Sequence, residues 1–217
     1  MRAFGRWTVA ASAILALVAT GCLNPNLYTS PRAIPAGRST IVLAPQIVQQ
    51  TKRTQNYGAA LGLRLGVMPR LDVGMRLNFG SLGADIKWNA IRTQLFDLAL
   101  NGGVEVLPYA YYAHVPILMG FNVADHITLL PNTGMTFGAG DQPEPFGQFS
   151  TTDPVVGGSP VPAGSPFVRG GLGIQLRMTS TFAVQPEVTA LYYLGAHPYV
   201  RNYYAGGIAF IWGRTPY

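Results

Sequence analysis

The chain has 217 residues, a length for one domain or for one domain preceded by a targeting segment. Charged residues make up 11% of the chain and hydrophobic residues 48%, whereas a soluble domain carries about 25% charged residues. Outside the extreme N-terminus, no apolar run reaches the roughly 20 residues of a membrane-spanning helix. The composition excludes a helical membrane bundle and a disordered chain, argues against a soluble domain, and favours an all-β protein rich in glycine and proline.

The N-terminus has the pattern of a targeting signal. Arg2 and Arg6 precede an apolar stretch at residues 9–18, as in a secretory signal peptide, so we predict a signal peptide at residues 1–21. Ala19-Thr20-Gly21 stands directly before Cys22, the single cysteine, and this junction resembles a bacterial lipoprotein cleavage site. The resemblance implies that Cys22 becomes the N-terminus and the lipid-attachment residue. An ordinary signal peptide with an incidental cysteine is the alternative.

Residues 22–40 show no hydrophobic periodicity and contain Pro25, Pro31 and Pro35. We predict that this stretch is a lipid-anchored periplasmic tether. Because each buried methylene contributes about 0.8 kcal/mol, a multiply acylated Cys22 would hold the N-terminus at the membrane on its periplasmic side.

From Ile41 onward the chain alternates between apolar and small or polar residues. Such strict alternation, as at residues 57–67 and 71–79, predicts strands. Ten strands are predicted, near residues 41–48, 56–67, 71–79, 82–91, 95–107, 112–123, 126–138, 167–178, 182–193 and 203–213. Eight strands are the alternative, because the first and last of the ten alternate least cleanly.

The strands are long, and their two faces differ. Most have nine or more residues, and a tilted membrane-spanning strand needs about 9–11. One face is apolar without charge, and Leu63, Val73 and Ile86 lie on it; the other carries glycine, asparagine and a few charges. Since charges on a lipid-facing surface cost about 2–4 kcal/mol at midplane, the pattern favours an antiparallel transmembrane up-and-down β-barrel at residues 41–217 with its apolar face outward.

The connections alternate between short and long, and short turns are typical of the periplasmic end of outer-membrane barrels. An even number of strands returns both ends of the barrel to that side. The long connection at residues 139–166 is aperiodic and rich in proline and glycine, and we predict a disordered surface loop, with a lid over the mouth as the alternative.

Aromatic residues fall near the strand ends, where they predict two girdles at the membrane interfaces. Those assigned to the outer girdle are Tyr57, Phe79, Tyr109, Tyr111, Tyr112, Phe137, Phe167, Tyr192, Tyr193, Tyr203 and Tyr204. Those assigned to the periplasmic girdle are Trp88, Phe96, Phe121, Phe182 and Trp212.

In this pattern the chain resembles the small β-barrel outer-membrane proteins of Gram-negative bacteria. The resemblance covers residues 41–217, and the aromatic Tyr217, or the stretch at residues 210–212, matches the family's C-terminal strand. It implies insertion by the barrel assembly machinery and a place in the cell outer membrane, in contact with outer-membrane lipid and lipopolysaccharide.

Ten charged residues fall on the inward face and balance five against five, so we expect them to pair inside the lumen. They are Arg64, Arg76, Lys87, Arg169, Arg177, Asp72, Asp85, Asp97, Glu105 and Glu187. A Gly80-Ser81 turn would place Arg76 opposite Asp85. The turn at residues 68–70 would place Arg76 opposite Gly62 and Arg64 opposite Gly74. Balanced charge favours a salt-bridged plug over a selectivity lining.

Enzymatic chemistry has little support. His114, near Glu105, and His197, near Glu187, could be forced into a catalytic set, but no spacing requires it, and we interpret these two and His126 as ordinary loop histidines. We expect no catalytic residues, metal or cofactor. Loss of Arg2 and Arg6 with the signal peptide lowers the net charge from +6 to +4, which is too weak to indicate nucleic acid.

The sequence therefore predicts an outer-membrane barrel lipoprotein with a plugged or narrow lumen and a structural or surface-binding role toward an extracellular partner. A porin-like pore or transporter for a small solute is the alternative. An outer-membrane enzyme acting on lipid is a third hypothesis.

Overall fold

The computed structural model describes residues 26–50, 55–78, 80–107, 110–142, 159–196 and 202–213. They form ten antiparallel strands: β1 (Ser39–Gln50), β2 (Gln55–Met68), β3 (Leu71–Asn78), β4 (Ser81–Arg92), β5 (Phe96–Val106), β6 (Ala110–Ala124), β7 (Ile127–Gln142), β8 (Ser159–Thr179), β9 (Phe182–Tyr193) and β10 (Tyr203–Gly213). Each strand pairs with its neighbours in sequence, and β1 pairs with β10, which closes the barrel. The prediction of a ten-stranded up-and-down barrel is confirmed. Within the described ranges no helix is long and apolar enough to span a membrane.

The two faces of the barrel wall follow the alternation of the sequence. Leu63, Val73 and Ile86 point outward, with exposed fractions of 50%, 37% and 49%. Their neighbours Arg64 and Asp72 are buried in the interior. The apolar face is therefore the outer one, which suits a lipid surrounding.

The barrel has a turn end and a loop end, and these two names are used below. β1 begins and β10 ends at the turn end, together with the tight turns at residues 69–70, 125–126 and 180–181. The loop end carries the connection between β7 and β8. The three tight turns named above lie at the end predicted to be periplasmic, whereas the short connection between β3 and β4 lies at the loop end.

The register of β2 and β3 is as predicted, with Gly62 opposite Arg76 and Gly74 opposite Arg64. The predicted register of β3 and β4 is wrong. Asn78 pairs with Ser81, so β3 ends one residue earlier than predicted, and Arg76 lies opposite Gly83 rather than Asp85. Gly80, directly before β4, has a φ of 76°, a left-handed conformation that glycine adopts without steric cost.

The connection between β7 and β8 is shorter than the loop predicted at residues 139–166. β7 continues to Gln142, and β8 begins at Ser159, with Gly140 paired to Val161. The two strands thus extend the hairpin at the loop end. The middle of the predicted loop, residues 143–158, lies outside the described residues.

The predicted outer aromatic girdle is correct only in part. Tyr111, Tyr192 and Tyr204 are exposed on the outer face, but Tyr112 and Tyr203 are buried inside the barrel. Phe167 is likewise fully buried, and Phe79 and Tyr109 lie outside the described residues. Because adjacent strand residues point to opposite faces, a tyrosine pair contributes one ring to each face.

Candidate functional site

The lumen is occupied by the chain's own N-terminal stretch, and residues 26–35 are called the luminal segment below. Leu27, Tyr28, Ala33 and Ile34 in it are nearly completely buried inside the barrel. The prediction of a free periplasmic tether at residues 22–40 is therefore wrong for the described part of that stretch. The segment is aperiodic, as expected, but its polar backbone groups find partners on the wall instead of in water.

The luminal segment joins the wall at the turn end. Gly37 and Arg38 form a pair of backbone hydrogen bonds with Gly66 of β2, both of 2.9 Å. Among the described residues, this pair makes up the backbone-to-backbone hydrogen bonds between the N-terminal stretch before β1 and the wall. Deeper in the lumen, the contacts come from wall side chains.

Glu187 of β9 binds two consecutive amides of the segment. The N–H groups of Leu27 and Tyr28 donate to Glu187 Oε1 and Oε2, each at 2.8 Å. Tyr28 has a φ of 47°, and such a left-handed residue occurs in anion-binding nests, where successive amides turn toward one anion. The wall carboxylate thus compensates for a backbone conformation that a tyrosine rarely adopts.

The Tyr28 side chain has a polar pocket of its own. Its hydroxyl donates to Gln46 Oε1 at 3.2 Å and accepts from Asn26 Nδ2 at 2.8 Å. Gly207 of β10 faces this hydroxyl, and a Cβ at that position would overlap it. The pocket therefore depends on the glycine.

Lys87 and Asp72 hold the middle of the segment. The Lys87 ammonium donates to the carbonyls of Ser30 at 2.7 Å and Arg32 at 3.2 Å, and Asp72 Oδ2 accepts from the Ile34 amide at 3.0 Å. Lys87 and Asp72 also pair with each other at 3.1 Å. The wall thus offers a cation to carbonyls and a carboxylate to an amide.

Arg32 of the segment binds the wall close to the turn end. Its Nη2 lies 2.9 Å from Asp97 Oδ2 of β5, and the same nitrogen donates to the Thr93 carbonyl at 2.9 Å. The Asp97 side chain is completely buried and the Arg32 side chain is 12% exposed, so the ion pair is largely shielded from water. The positive charge of Arg32 therefore compensates for burial of the Asp97 carboxylate in the interior.

Glycines of the wall make room for the segment. A Cβ on Gly120 would lie 2.7 Å from Pro31 Cγ, and a Cβ on Gly66 would overlap the carbonyl oxygens of Ile34 and Pro35. Together with Gly207, these inward glycines come from three different strands. The inner surface is thus shaped to the segment.

Other wall charges pair with one another. The Arg64 guanidinium bridges Asp72 and Asp85, with Nη2 at 2.6 Å from an oxygen of each. Gly74, opposite Arg64, leaves the space for this guanidinium. Asp85 thus pairs with Arg64 rather than with Arg76, the partner expected from sequence.

Arg76 belongs to a different cluster nearer the loop end. Its Nη2 lies 3.6 Å from Glu105 Oε2 and donates to His114 Nε2 at 2.8 Å. Glu105 accepts hydrogen bonds from Ser81 and Asn78. His114 is buried on the inward face of β6, so its interpretation as a loop histidine is wrong.

The structure places the predicted lumen charges as follows. Nine of the ten are buried in the interior: Arg64, Arg76, Lys87, Arg169, Asp72, Asp85, Asp97, Glu105 and Glu187. Arg177 is half-buried at the turn end, where it donates to the carbonyls of Ala124 and Asp125. Cys22 lies outside the described residues, and its lipid attachment stays a prediction.

His126 and His197 are the remaining histidines. His126 is exposed in the turn at residues 125–126, and His197 lies outside the described residues. In the described part of the chain, no group of three or more His, Cys, Asp or Glu side chains could hold a metal ion.

An aromatic cluster lies inside the barrel on the loop-end side of the segment. Phe167 packs against Tyr112, Tyr193 and Tyr203, with ring centroids 5.3 to 6.4 Å apart. Leu107, Ala110 and Leu191 complete it. The interior thus contains a polar layer around the luminal segment and an apolar layer toward the loop end.

Sequence reasoning missed Asn26, Tyr28, Arg32, Gln46 and Gly207 as parts of the site. The segment has no periodicity, so its position rests on contacts with residues distant in sequence, such as the one between Tyr28 and Glu187. One signal was available: the inward positions of β2 and β10 carry glycines, and inward glycines indicate close approach of other backbone.

The sequence matches no protein-family model and no curated protein. Its fold is similar to that of an outer membrane channel from Pseudomonas putida F1, with a TM-score of 0.53 and 10% identity over 88% of this chain and 100% of that one. Ail, the attachment invasion locus protein of Yersinia pestis, matches with a TM-score of 0.34 and 15% identity over 82% and 99%. The outer membrane enzyme PagL matches with 0.38 and 10% over 78% and 97%.

The chain thus has a closed antiparallel β-barrel fold similar to that of the outer membrane channel. It is a ten-stranded member of that fold, with its own N-terminal stretch inside the barrel.

Proposed function

We propose that the protein spans the outer membrane as a barrel closed by its own luminal segment, and that it acts through its outer surfaces. The observation that carries the proposal is the burial of residues 26–35 in the lumen, held by Glu187, Lys87 and Asp72. Hydrogen bonds to charged groups contribute about 1.5–3 kcal/mol each, so several of them keep the segment in place.

Because the lumen is closed in this proposal, the protein acts through its exposed surfaces. The outward apolar belt would contact membrane lipid, and the loop end would contact lipopolysaccharide or an extracellular partner. We also propose that the barrel assembly machinery inserts the protein, and that the segment at residues 19–22 directs lipid attachment at Cys22. A catalytic role is not proposed, because His114 is sealed inside the wall beside Arg76.

Planar-bilayer recording of the full mature chain tests the closure. We expect no stepwise ion current at moderate voltage, with folding verified beforehand by the heat-dependent gel mobility of barrels. A steady current that rises in discrete steps as molecules insert would overturn the proposal.

A small-solute channel is the second candidate, and the mode of attachment of the segment supports it. Beyond Gly66, wall side chains rather than strand pairing hold the luminal segment, so it can leave without breaking the barrel's hydrogen-bond ladders. Its departure would uncover Asp97 and Glu187, which favour cations in a lumen.

Two arginine variants of the full chain test this candidate. Arg32→Ala removes the ion pair with Asp97, whereas Arg38→Ala removes the same charge from an exposed position next to the segment. We expect brief cation-selective openings for Arg32→Ala and none for Arg38→Ala. If Arg32→Ala frees the segment for protease cleavage and still passes no current, the channel candidate is wrong.

A further inference from the structure

The wall of the lumen binds the luminal segment in the way that a binding site binds a peptide ligand. Four of the wall's charged side chains bind main-chain atoms: Glu187 binds two amides, Lys87 two carbonyls, Asp72 one amide and Arg76 one carbonyl, that of Asn26. Main-chain groups are common to all polypeptides. These contacts therefore fix the position and direction of a bound chain without specifying its sequence.

Specificity comes from two side chains of the segment. The Tyr28 hydroxyl fits a pocket formed by Gln46 and Gly207, and the Arg32 guanidinium fits a second site formed by Asp97 and the Thr93 carbonyl. The two anchors are four residues apart. Between them, Thr29 and Ser30 contact Lys87, through a hydroxyl and a carbonyl.

We infer that the lumen is a binding site for a polypeptide segment with a tyrosine followed four residues later by an arginine. Residues 26–35 are the occupant supplied by the chain itself, and a separate polypeptide with the same two anchors competes for the site. This inference rests on the proposed closure of the lumen by the luminal segment.

Competition by a separate peptide depends on the effective concentration of the tethered segment. A tethered segment acts at an effective concentration of about millimolar, so a free peptide binds the wild-type protein weakly. Replacing the two anchors of the tethered segment weakens its binding to the wall and exposes the site. The protein with a weakened segment is therefore the form in which binding is measured.

The experiment uses the full mature chain in detergent carrying Tyr28→Ala and Arg32→Ala. The probe is a fluorescent synthetic peptide with the sequence of residues 26–36, and binding is read by anisotropy. We expect saturable binding of one peptide per barrel, about tenfold or more tighter than to the wild-type protein. A peptide with both anchors replaced by alanine should bind about tenfold or more weakly than the probe.

Wall variants locate the site. Adding Gly207→Val fills the space of the tyrosine hydroxyl and should abolish binding, whereas Gly206→Val alters the neighbouring outward position, where a Cβ meets only Val188 at 3.6 Å. Asp97→Asn tests the arginine site separately and should weaken binding about tenfold. This variant still tests the inference if Gly207→Val fails to fold. Arg38→Ala with both anchors intact removes only an exposed side chain and keeps the backbone hydrogen bond to Gly66, so it should behave as wild type.

Three results would overturn the inference: no binding to the weakened variant, equal binding of the peptide without anchors, or no effect of Gly207→Val and Asp97→Asn. Because binding is read by fluorescence and not by current, a leaky wild-type barrel would contradict the closure without producing any of these results.

Discussion

The Tyr28 amide and the Glu187 carboxylate are joined at 2.8 Å although 159 positions separate them in sequence. This contact connects the stretch before β1 to the middle of β9, across the interior of the barrel. It also turns a carboxylate that would be costly to bury alone into the binding group for two amides. The N-terminal stretch and the wall therefore stabilise each other.

Glu187→Gln should loosen the luminal segment. The neutral amide keeps one acceptor and loses the charge, so the hydrogen bonds from Leu27 and Tyr28 weaken and the free energy of unfolding falls by about 1.5–3 kcal/mol. Limited proteolysis should then cleave within residues 26–35. Glu105→Gln is the matched control, because Glu105 binds Arg76, Ser81 and Asn78 and its link to the segment is indirect, through Arg76, which donates to the Asn26 carbonyl. Equal protection of the segment in the two variants would contradict the assignment.

Gly120→Val should displace the segment by steric overlap. A Cβ at this position already lies 2.7 Å from Pro31 Cγ, and overpacking of this kind costs about 1–3 kcal/mol. Hydrogen exchange of the amides of residues 27–34 should speed up. Gly170→Val is the control, because a Cβ there meets nothing within 4 Å. Unchanged protection in Gly120→Val would show that the segment does not pack there.

The strands and their faces could be predicted because each rests on a local pattern. Alternation with a period of two identifies a strand and both of its faces without knowledge of its partner, and Leu63 and Arg64 lie on opposite faces as expected. The same rule, applied to the tyrosine pairs, would have placed Tyr112 inside.

The occupied lumen could not be predicted in the same way. The segment lacks periodicity, and its contacts join residues far apart in sequence. The prediction of the β3–β4 register was wrong for a different reason. Both Phe79-Gly80 and Gly80-Ser81 contain the glycine that a tight turn needs. The alternation of faces does not distinguish the two registers, because they differ by two residues.

Arg64→Ala should destabilise the barrel more than most single substitutions. It leaves Asp85 without the guanidinium that lies 2.6 Å away and removes one of the two cations beside Asp72. Breaking a buried ion pair costs about 3–5 kcal/mol, which urea titration of the folded barrel in detergent would measure. Arg70→Ala, at an exposed position in the turn at residues 69–70, should change stability by less than about 0.5 kcal/mol. Similar losses in both variants would contradict a structural role for the bridge.

Substitutions on the outer face test whether lipid surrounds the barrel. Ile86 lies near the middle of β4 and points outward, so Ile86→Arg should lower the free energy of unfolding in lipid vesicles by about 2–4 kcal/mol. Met68 points outward at the turn end of β2, where Met68→Arg should cost only about 0–1 kcal/mol. The depth dependence is the informative result, because a surface facing water would accept arginine at either position with little change. Equal and small costs at both positions would mean that hydrocarbon does not contact this face, and the membrane-spanning assignment would be wrong.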